Sequence, residues 1–374
     1  MPRLLISCGE PSGEFYAAEL VAELRKRHPD LEAFGLGGDR LAATNVRLLA
    51  HLRDLAVVGL VEVLSHLRRL KHLFDSVVAE AARTRPDVAV LIDYPDFNLR
   101  LARELKKLGI PVVYYVSPQL WAWRRGRIKD VKRDVSKMLV IFPFEEQIYR
   151  DAGVPVAFVG HPLIDHVKPP MDRSAVAARL GLARDRPVIA LLPGSRNKEV
   201  GFNLPPMLDA VKILRERRPE LQFVLAAAPH LRGGAFQDAA GAGVIVKEGV
   251  TREVLSSTRV AIVASGTATV ETALTLTPMV VVYRLSALTY ALGKPLVSVS
   301  NYAMVNLIAG RVVAPELIQS DFTPARVAEE TLRVLDDGAP RSEMLLGLGE
   351  VRDKLGKGGA TVHAADEVDA FLRR

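Results

Sequence analysis

Two strand-to-helix turns carry residue types suited to holding a diphosphate. The first, Leu191-Leu192-Pro193-Gly194-Ser195-Arg196, ends the apolar run Val188–Leu192. The second, Ala264-Ser265-Gly266-Thr267-Ala268-Thr269-Val270-Glu271, follows the run Val260–Val263. A buried strand that breaks into small residues and then a helix leaves backbone N–H groups and the positive end of a helix dipole for an anion. Gly194, Ser195, Arg196, Ser265, Gly266 and Thr267 are the candidate contacts, and Arg196 adds a guanidinium able to fork onto phosphate oxygens. Glu271, one turn into the second helix, can accept from ribose hydroxyls. Either turn alone also reads as an ordinary βα turn with Ser or Thr as N-cap. Two in one half, one carrying Arg and the other Glu, favour a nucleotide diphosphate. Neither matches the Gly-Lys-Ser/Thr phosphate loop or the Gly-x-Gly-x-x-Gly spacing.

The first half offers carboxylates and aromatics. In Cys8-Gly9-Glu10-Pro11-Ser12-Gly13-Glu14 the acidic Glu10 argues against a pure phosphate cradle, so the turn reads as facing a sugar or acceptor, with Ser12 able to cap the following helix. Asp93 directly follows an apolar run, where a half-shielded carboxylate can act as a general base or serve structure alone. Asp96 reads as a cap. Trp121 and Trp123, the two tryptophans of the chain, form either a stacking wall or a packed lid. From 54 to 74 runs an apolar amphipathic stretch ending in Arg68, Arg69, Lys71 and His72. It is either a core helix with a solvated basic edge or a patch that dips Val61, Val63, Leu64, Leu67 and Leu70 into an anionic membrane surface.

The elements that must position these groups are short apolar runs alternating with helical patterns. Candidate strands are Leu4–Ser7, Ala33–Leu36, Val88–Ile92, Val112–Val116, Met138–Phe142 and Ala157–Val159, then Val188–Leu192, Gln222–Ala226, Gly243–Val246, Val260–Val263 and Met279–Val282. Uninterrupted β-branched runs indicate parallel strands covered on both faces, here with helices such as Glu14–Arg27 and Leu99–Leu108 between them. The expected fold is α/β: two doubly wound Rossmann-like domains facing across a cleft. The boundary is expected near Gly160–Asp165, dividing an acceptor- and membrane-facing domain (1–165, rejoined by a C-terminal helix 358–374) from a nucleotide-sugar domain (166–357).

With 374 residues, 49% hydrophobic and 25% charged, the composition is that of a globular protein large enough for two cores. The net charge of +7 is local, with six basic against two acidic residues from Arg124 to Asp134. No basic stripe interleaves with aromatics as single-strand nucleic-acid binding requires. The single cysteine, Cys8, excludes an internal disulfide framework and reads as a buried, inert thiol. No Asp-x-Asp triplet occurs and the eight histidines are scattered, so no metal or cofactor is expected. A short apolar N-terminal run and the lack of a membrane-length stretch lead to a cytoplasmic expectation.

Taken together, GEPSGE (9–14), LAVVGLVEVL (55–64), RPDVAVLIDYPDFN (85–98), YYVSPQLWAWR (114–124), FPFE (142–145), FVGHP (158–162), LLPGSR (191–196), ASGTATVE (264–271), PMVVVYR (278–284) and NLIAGR (306–311) resemble the lipid-A-disaccharide synthases. The likeness spans nearly the whole chain. It implies a glycosyltransferase-B architecture and an inverting condensation of UDP-2,3-diacylglucosamine with 2,3-diacylglucosamine 1-phosphate, giving a β(1→6) acylated disaccharide 1-phosphate and UDP. It further implies Asp93 as general base, Arg196 on the pyrophosphate, Glu271 and Asn306 on the nucleotide side, and a membrane-docking role for Val61, Val63, Leu64, Leu67 and Leu70 at the inner leaflet of the inner membrane. Glu14 stands where the family often has Asp, and Lys71 where it often has an apolar residue. A homodimer is left open. The rival readings are another glycosyltransferase-B enzyme, such as a UDP-N-acetylglucosamine transferase or 2-epimerase, and a two-lobed sugar-binding protein. The apolar-basic stretch 55–74 weighs against the epimerase, and the lack of an export signal against the binding protein.

Overall fold

The computed structural model describes residues 1–55, 63–120, 125–166, 173–228, 231, 235–286, 289–291, 294 and 301–372. The chain divides into two compact units, Met1–Asp165 with Gly356–Arg374, and His166–Leu355.

The first unit is built on β1 (Arg3–Cys8), β2 (Glu32–Gly37), β3 (Arg47–His51), β4 (Val88–Ile92), β5 (Val112–Tyr115), β6 (Lys137–Val140) and β7 (Val156–Phe158). They form one sheet in the order β3-β2-β1-β4-β5-β6-β7, every neighbouring pair parallel. Leu4 to Cys8 and Val88 to Ile92 are wholly buried. Their alternate side chains feed two apolar clusters, one holding Leu4, Ile6, Val90 and Ile92, the other Leu5, Ala89 and Leu91. Each such Leu, Ile or Val contributes about 1.5–3 kcal/mol by leaving water. The chain's last helix, Ala360–Leu372, returns to this unit: Ala364, Ala365 and Val368 share a cluster with Leu20, Val21 and Leu24 of the helix Pro11–Arg27. Arg27 donates to Asp366 at 2.7 Å across that helix pair.

The second unit comprises β8 (Val188–Leu192), β9 (Gln222–Ala227), β10 (Ile245–Glu248), β11 (Val260–Ala264), β12 (Met279–Tyr283) and β13 (Glu316–Ile318). Its order is β10-β9-β8-β11-β12-β13, again parallel throughout.

Both sheets reverse winding direction once. In the first, β1 leads through Pro11–Arg27 to β2 on one side, while β4 leads through Pro95–Lys107 to β5 on the other. In the second, β8 and β11 diverge in the same way, through Asn197–Arg217 to β9 and through Thr267–Leu274 to β12. Ligands of open parallel sheets bind where the strand order reverses, beyond the carboxyl ends. The doubly wound expectation holds, and each strand read from the sequence is present. Two were not anticipated. β3 and β13 are edge strands whose residues are mostly half-exposed, so neither shows an uninterrupted apolar run. Among the described residues no helix is long and apolar enough to cross a membrane.

Candidate functional site

In the first unit the reversal point lies between the ends of β1 and β4, which are paired through Cys8 and Ile92. Gly9 and Asp93 are the next residue on each strand. Asp93 and Tyr94 both adopt left-handed backbone, φ 47° and 49°, a conformation costing a non-glycine residue on the order of 1 kcal/mol or more unless its surroundings hold it. They do hold it. The Asp93 N–H donates to the Tyr115 carbonyl at 3.1 Å, while its own carbonyl accepts from Asn98 Nδ2 at 2.9 Å and the Tyr114 hydroxyl at 2.6 Å. Asn98 is fully buried and accepts from Ser7 Oγ at 2.8 Å, tying the turn to β1. This double twist carries Asp93 out of the strand, half-exposed at the carboxyl edge. It also lays the Tyr94 ring over Gly9, where any β-carbon would fall 2.2 Å from Tyr94 Cγ.

Glu10, half-exposed, is the N-cap residue of Pro11–Arg27 but makes no side-chain cap bond. Ser12 is therefore inside the helix rather than its cap, because Pro11 fixes the first helical position. Asp96 likewise lies within the first turn of Pro95–Lys107, whose N-cap is Tyr94, and pairs with Arg127. The Glu14 carboxylate caps the next short helix, Asp39–Ala42, accepting from Arg40 N–H at 2.8 Å. Cys8 is buried, its thiol pushed up to about 12 by desolvation and then by Glu14. Trp121, Trp123 and Val61 lie outside the described residues. Val63, Leu64 and Leu67 fall on the helix Val63–Thr84, and Leu70 of that helix packs partly against the second apolar cluster.

In the second unit the two diphosphate-type turns leave adjacent strands, since Leu192 of β8 stands beside Val263 of β11. Gly194 (φ 125°) and Gly266 (φ 150°) supply backbone that other residues rarely adopt. Arg196 is the N-cap residue of Asn197–Arg217 and Gly266 that of Thr267–Leu274; neither helix start has a side-chain cap bond. The Ser195 N–H donates to Glu199 Oε2 at 3.1 Å, and Arg196 Nη1 donates to Glu199 Oε1 at 3.1 Å. The Ser265 hydroxyl donates to the Tyr302 carbonyl at 3.0 Å, and Thr267 is exposed at the helix start. Glu271 sits one turn further, its carboxyl raised above the usual range by burial, with Arg252 opposing.

Three supporting side chains carried no local sequence signal. Buried Asn203 donates to the Pro193 carbonyl at 3.0 Å and accepts from the Arg284 N–H at 2.9 Å, bracing the first turn against the end of β12. Glu316 accepts from the N–H groups of Tyr302 at 2.8 Å and Ala303 at 3.0 Å, holding the segment that receives Ser265. Glu199 is the third. Asn306 is fully buried and spends its amide on the chain itself: Nδ2 donates to Ala314 O and Glu316, while Oδ1 accepts from the N–H groups of Val313 and Ala314. Among the described residues no group of three or more His, Cys, Asp or Glu is placed to hold a metal ion.

A lipid-A-disaccharide synthetase family model matches residues 4–359. The lipid-A-disaccharide synthase of Myxococcus xanthus is 50% identical over 374 residues, spanning 99% of this chain and 98% of its own. That of Koribacter versatilis is 48% identical over 372 residues, with 98% and 96% covered. Among solved structures, a UDP-GlcNAc 2-epimerase from Neisseria meningitidis bound to UDP-GlcNAc superposes with a TM-score of 0.68 at 14% identity, over 100% of both chains. The calicheamicin glycosyltransferase CalG4 gives 0.60 at 16%, over 100% of this chain and 99% of that one. At such identities the structural likeness is one of fold alone, the glycosyltransferase-B type. Sequence identity near one half over almost the whole length carries more: the chain belongs to the lipid-A-disaccharide synthetase family.

Proposed function

We propose that the chain condenses UDP-2,3-diacylglucosamine with 2,3-diacylglucosamine 1-phosphate, giving the β(1→6)-linked disaccharide 1-phosphate and UDP with inversion. Family membership makes it a hexosyltransferase of lipid A disaccharide synthesis. The observation that best supports the site assignment is the pairing of Leu192 with Val263, which starts both diphosphate-type turns from neighbouring strand ends. A UDP donor also agrees with a same-fold epimerase bound to UDP-GlcNAc.

In this reading Asp93 takes the proton of the acceptor 6-hydroxyl. The oxygen attacks the donor anomeric carbon from the face opposite the leaving group, and the bond from that carbon to the UDP oxygen breaks with its electron pair. The resulting charge meets the N–H groups of Gly194, Gly266 and Thr267 and, once Glu199 lets go of them, the Ser195 N–H and the Arg196 guanidinium. The Ser265 N–H is held by the Val282 carbonyl at 2.9 Å, so Ser265 only lines the turn. Glu271 accepts from the ribose, and Asn306 acts from beneath by fixing Glu316. Glu10, Ser12, Trp121 and Trp123 serve the acceptor side. Val61, Val63, Leu64, Leu67 and Leu70 meet anionic lipid at the inner leaflet, where a cytoplasmic, peripherally bound enzyme would collect both acylated substrates.

One incubation tests the reading: both acylated glucosamine substrates, assayed for UDP and acylated disaccharide, with UDP-N-acetylglucosamine alone alongside. Disaccharide and UDP in equal amounts are expected. Turnover of UDP-N-acetylglucosamine without disaccharide would replace this reading with the epimerase one.

A further inference from the structure

A cavity of about 180 Å³ opens between the helices Pro95–Lys107 and Ile128–Asp134, in the first unit, and four arginines line it: Arg100, Arg103, Arg127 and Arg133. Asp96 and Asp130 also line it. Arg127 is paired with Asp96, and Arg133 with Asp130 at 2.9 Å and with buried Asp134 at 2.6 Å. Arg100 and Arg103 make no ion pair or hydrogen bond among the described residues and are exposed. Two uncompensated guanidiniums therefore face a concave space whose other cations are already neutralised. A space of that size admits a hydrated phosphate group, and its open mouth leaves the rest of a larger ligand outside. Guanidinium forks match phosphate oxygens, and a dianion gains more from two such forks than a carboxylate does. The cavity also borders Pro95 and Asp96, the first helical residues after Asp93 and Tyr94.

We propose that this cavity is a phosphate-monoester site, with Arg100 and Arg103 as the ligand-binding cations and the Asp96–Arg127 pair as its wall. The same chemistry is offered by the anomeric phosphate of the acceptor and by the headgroup of a phosphatidic acid. The first source rests on the reaction proposed above; the second does not.

The test uses the full chain and the double variant Arg100→Ala/Arg103→Ala, whose side chains carry no structural bonds. Calorimetric titration with glucosamine 1-phosphate needs no catalysis, and at least ten-fold weaker binding by the variant is expected. If the acceptor supplies the phosphate, the variant's acceptor KM rises about ten-fold while donor KM and kcat hold, and the preference for phosphorylated over dephosphorylated acceptor collapses. If a headgroup supplies it, acceptor KM holds and sedimentation with phosphatidic-acid vesicles falls, with phosphatidylcholine vesicles as the blank. Equal titration by wild type and variant, with unchanged acceptor KM and vesicle binding, overturns the site. Wild-type protein that binds glucosamine 1-phosphate through these arginines yet forms no disaccharide would sink the proposed reaction and leave the site standing.

Discussion

The Arg196 guanidinium donates to Glu199 Oε1 at 3.1 Å, while the other oxygen of the same carboxylate takes the Ser195 N–H at 3.1 Å. Two of the donors assigned to the diphosphate are thus occupied by an anion from the helix they precede. In the proposed site Glu199 stands where a phosphate oxygen would, and a nucleotide would have to displace it.

Glu199→Gln should therefore bind UDP more tightly. The amide keeps the shape and removes the competing charge. The pair is exposed on the arginine side, so its worth is at most about 1 kcal/mol, or roughly five-fold in Kd. Calorimetry on both proteins decides it: equal or weaker UDP binding by the variant would mean that the diphosphate does not land on these donors.

Asp93→Asn should lower kcat by about 100-fold or more, the range general bases supply, with donor KM held. The backbone bonds of Asp93 to Asn98, Tyr114 and Tyr115 do not involve the carboxylate, so the fold should survive. Near-normal turnover by a folded variant would move the base elsewhere.

The elements that make the site were readable because its strands are central. β1, β4, β8 and β11 are buried on both faces, and such strands must be continuous apolar runs. Their carboxyl ends then announce themselves as abrupt changes to Gly, Ser, Arg or Asp. β3 and β13 were hidden for the converse reason, as half-exposed edges. The bracing residues were hidden differently. Asn203 meets Arg284 across 81 positions and Asn98 meets Ser7 across 91, and no local pattern encodes which buried amide will find which partner. Helix starts were misjudged at Ser12, where a proline took precedence over a side-chain cap. Even the family likeness could not say that the Asn306 amide is bonded to its own chain, since a motif preserves a residue without its hydrogen bonds.

Glu271 gives a pH signature. Burial raises its carboxyl above the usual value of 4.5, so between that value and the raised one the folded chain holds a proton the unfolded chain has released. Stability from this group is present at low pH and declines as pH rises through the folded value. Ionised Glu271 is the better acceptor for ribose hydroxyls, so UDP affinity should move the other way, strengthening through the same window. Glu271→Gln should flatten both curves. A UDP affinity whose pH dependence is the same in variant and wild type would remove Glu271 from the nucleotide site.

His161 gives the opposite signature in the first unit. It is buried, packs on Phe142 with ring centroids 5.2 Å apart, and accepts the Leu163 N–H on Nδ1 at 3.2 Å. Desolvation lowers its pKa from 6.5 to about 3. Between those values the unfolded chain binds the extra proton, so stability falls as pH drops through the window, by up to about 1.4 kcal/mol per pH unit for one proton. Denaturant midpoints from pH 7 to 4 should show a shallower slope in His161→Asn, whatever its stability at pH 7. Parallel slopes would mean that His161 is not the group that charges on acid unfolding.

Asn306 and Glu316 make the last case, because their link predicts a split between binding and folding. Asn306 Nδ2 donates to Glu316 Oε1 at 2.7 Å, and Glu316 holds the N–H groups of Tyr302 and Ala303 beside the carbonyl that receives Ser265. Asn306→Ala strands the N–H groups of Val313 and Ala314 and the Ala314 carbonyl, at about 1–3 kcal/mol for each one left unsatisfied. Its loss of activity would accordingly come with a lower melting temperature. Glu316→Gln keeps one accepting oxygen and should fold nearly as well, but its amide now faces either the Tyr302 N–H or both the Ala303 N–H and the Asn306 amide as a second donor. The 301–303 segment should shift, and UDP affinity should fall several-fold with little change in melting temperature. If Glu316→Gln binds UDP as wild type does while Asn306→Ala, still folded, does not, then Asn306 touches the nucleotide directly and the indirect role is wrong.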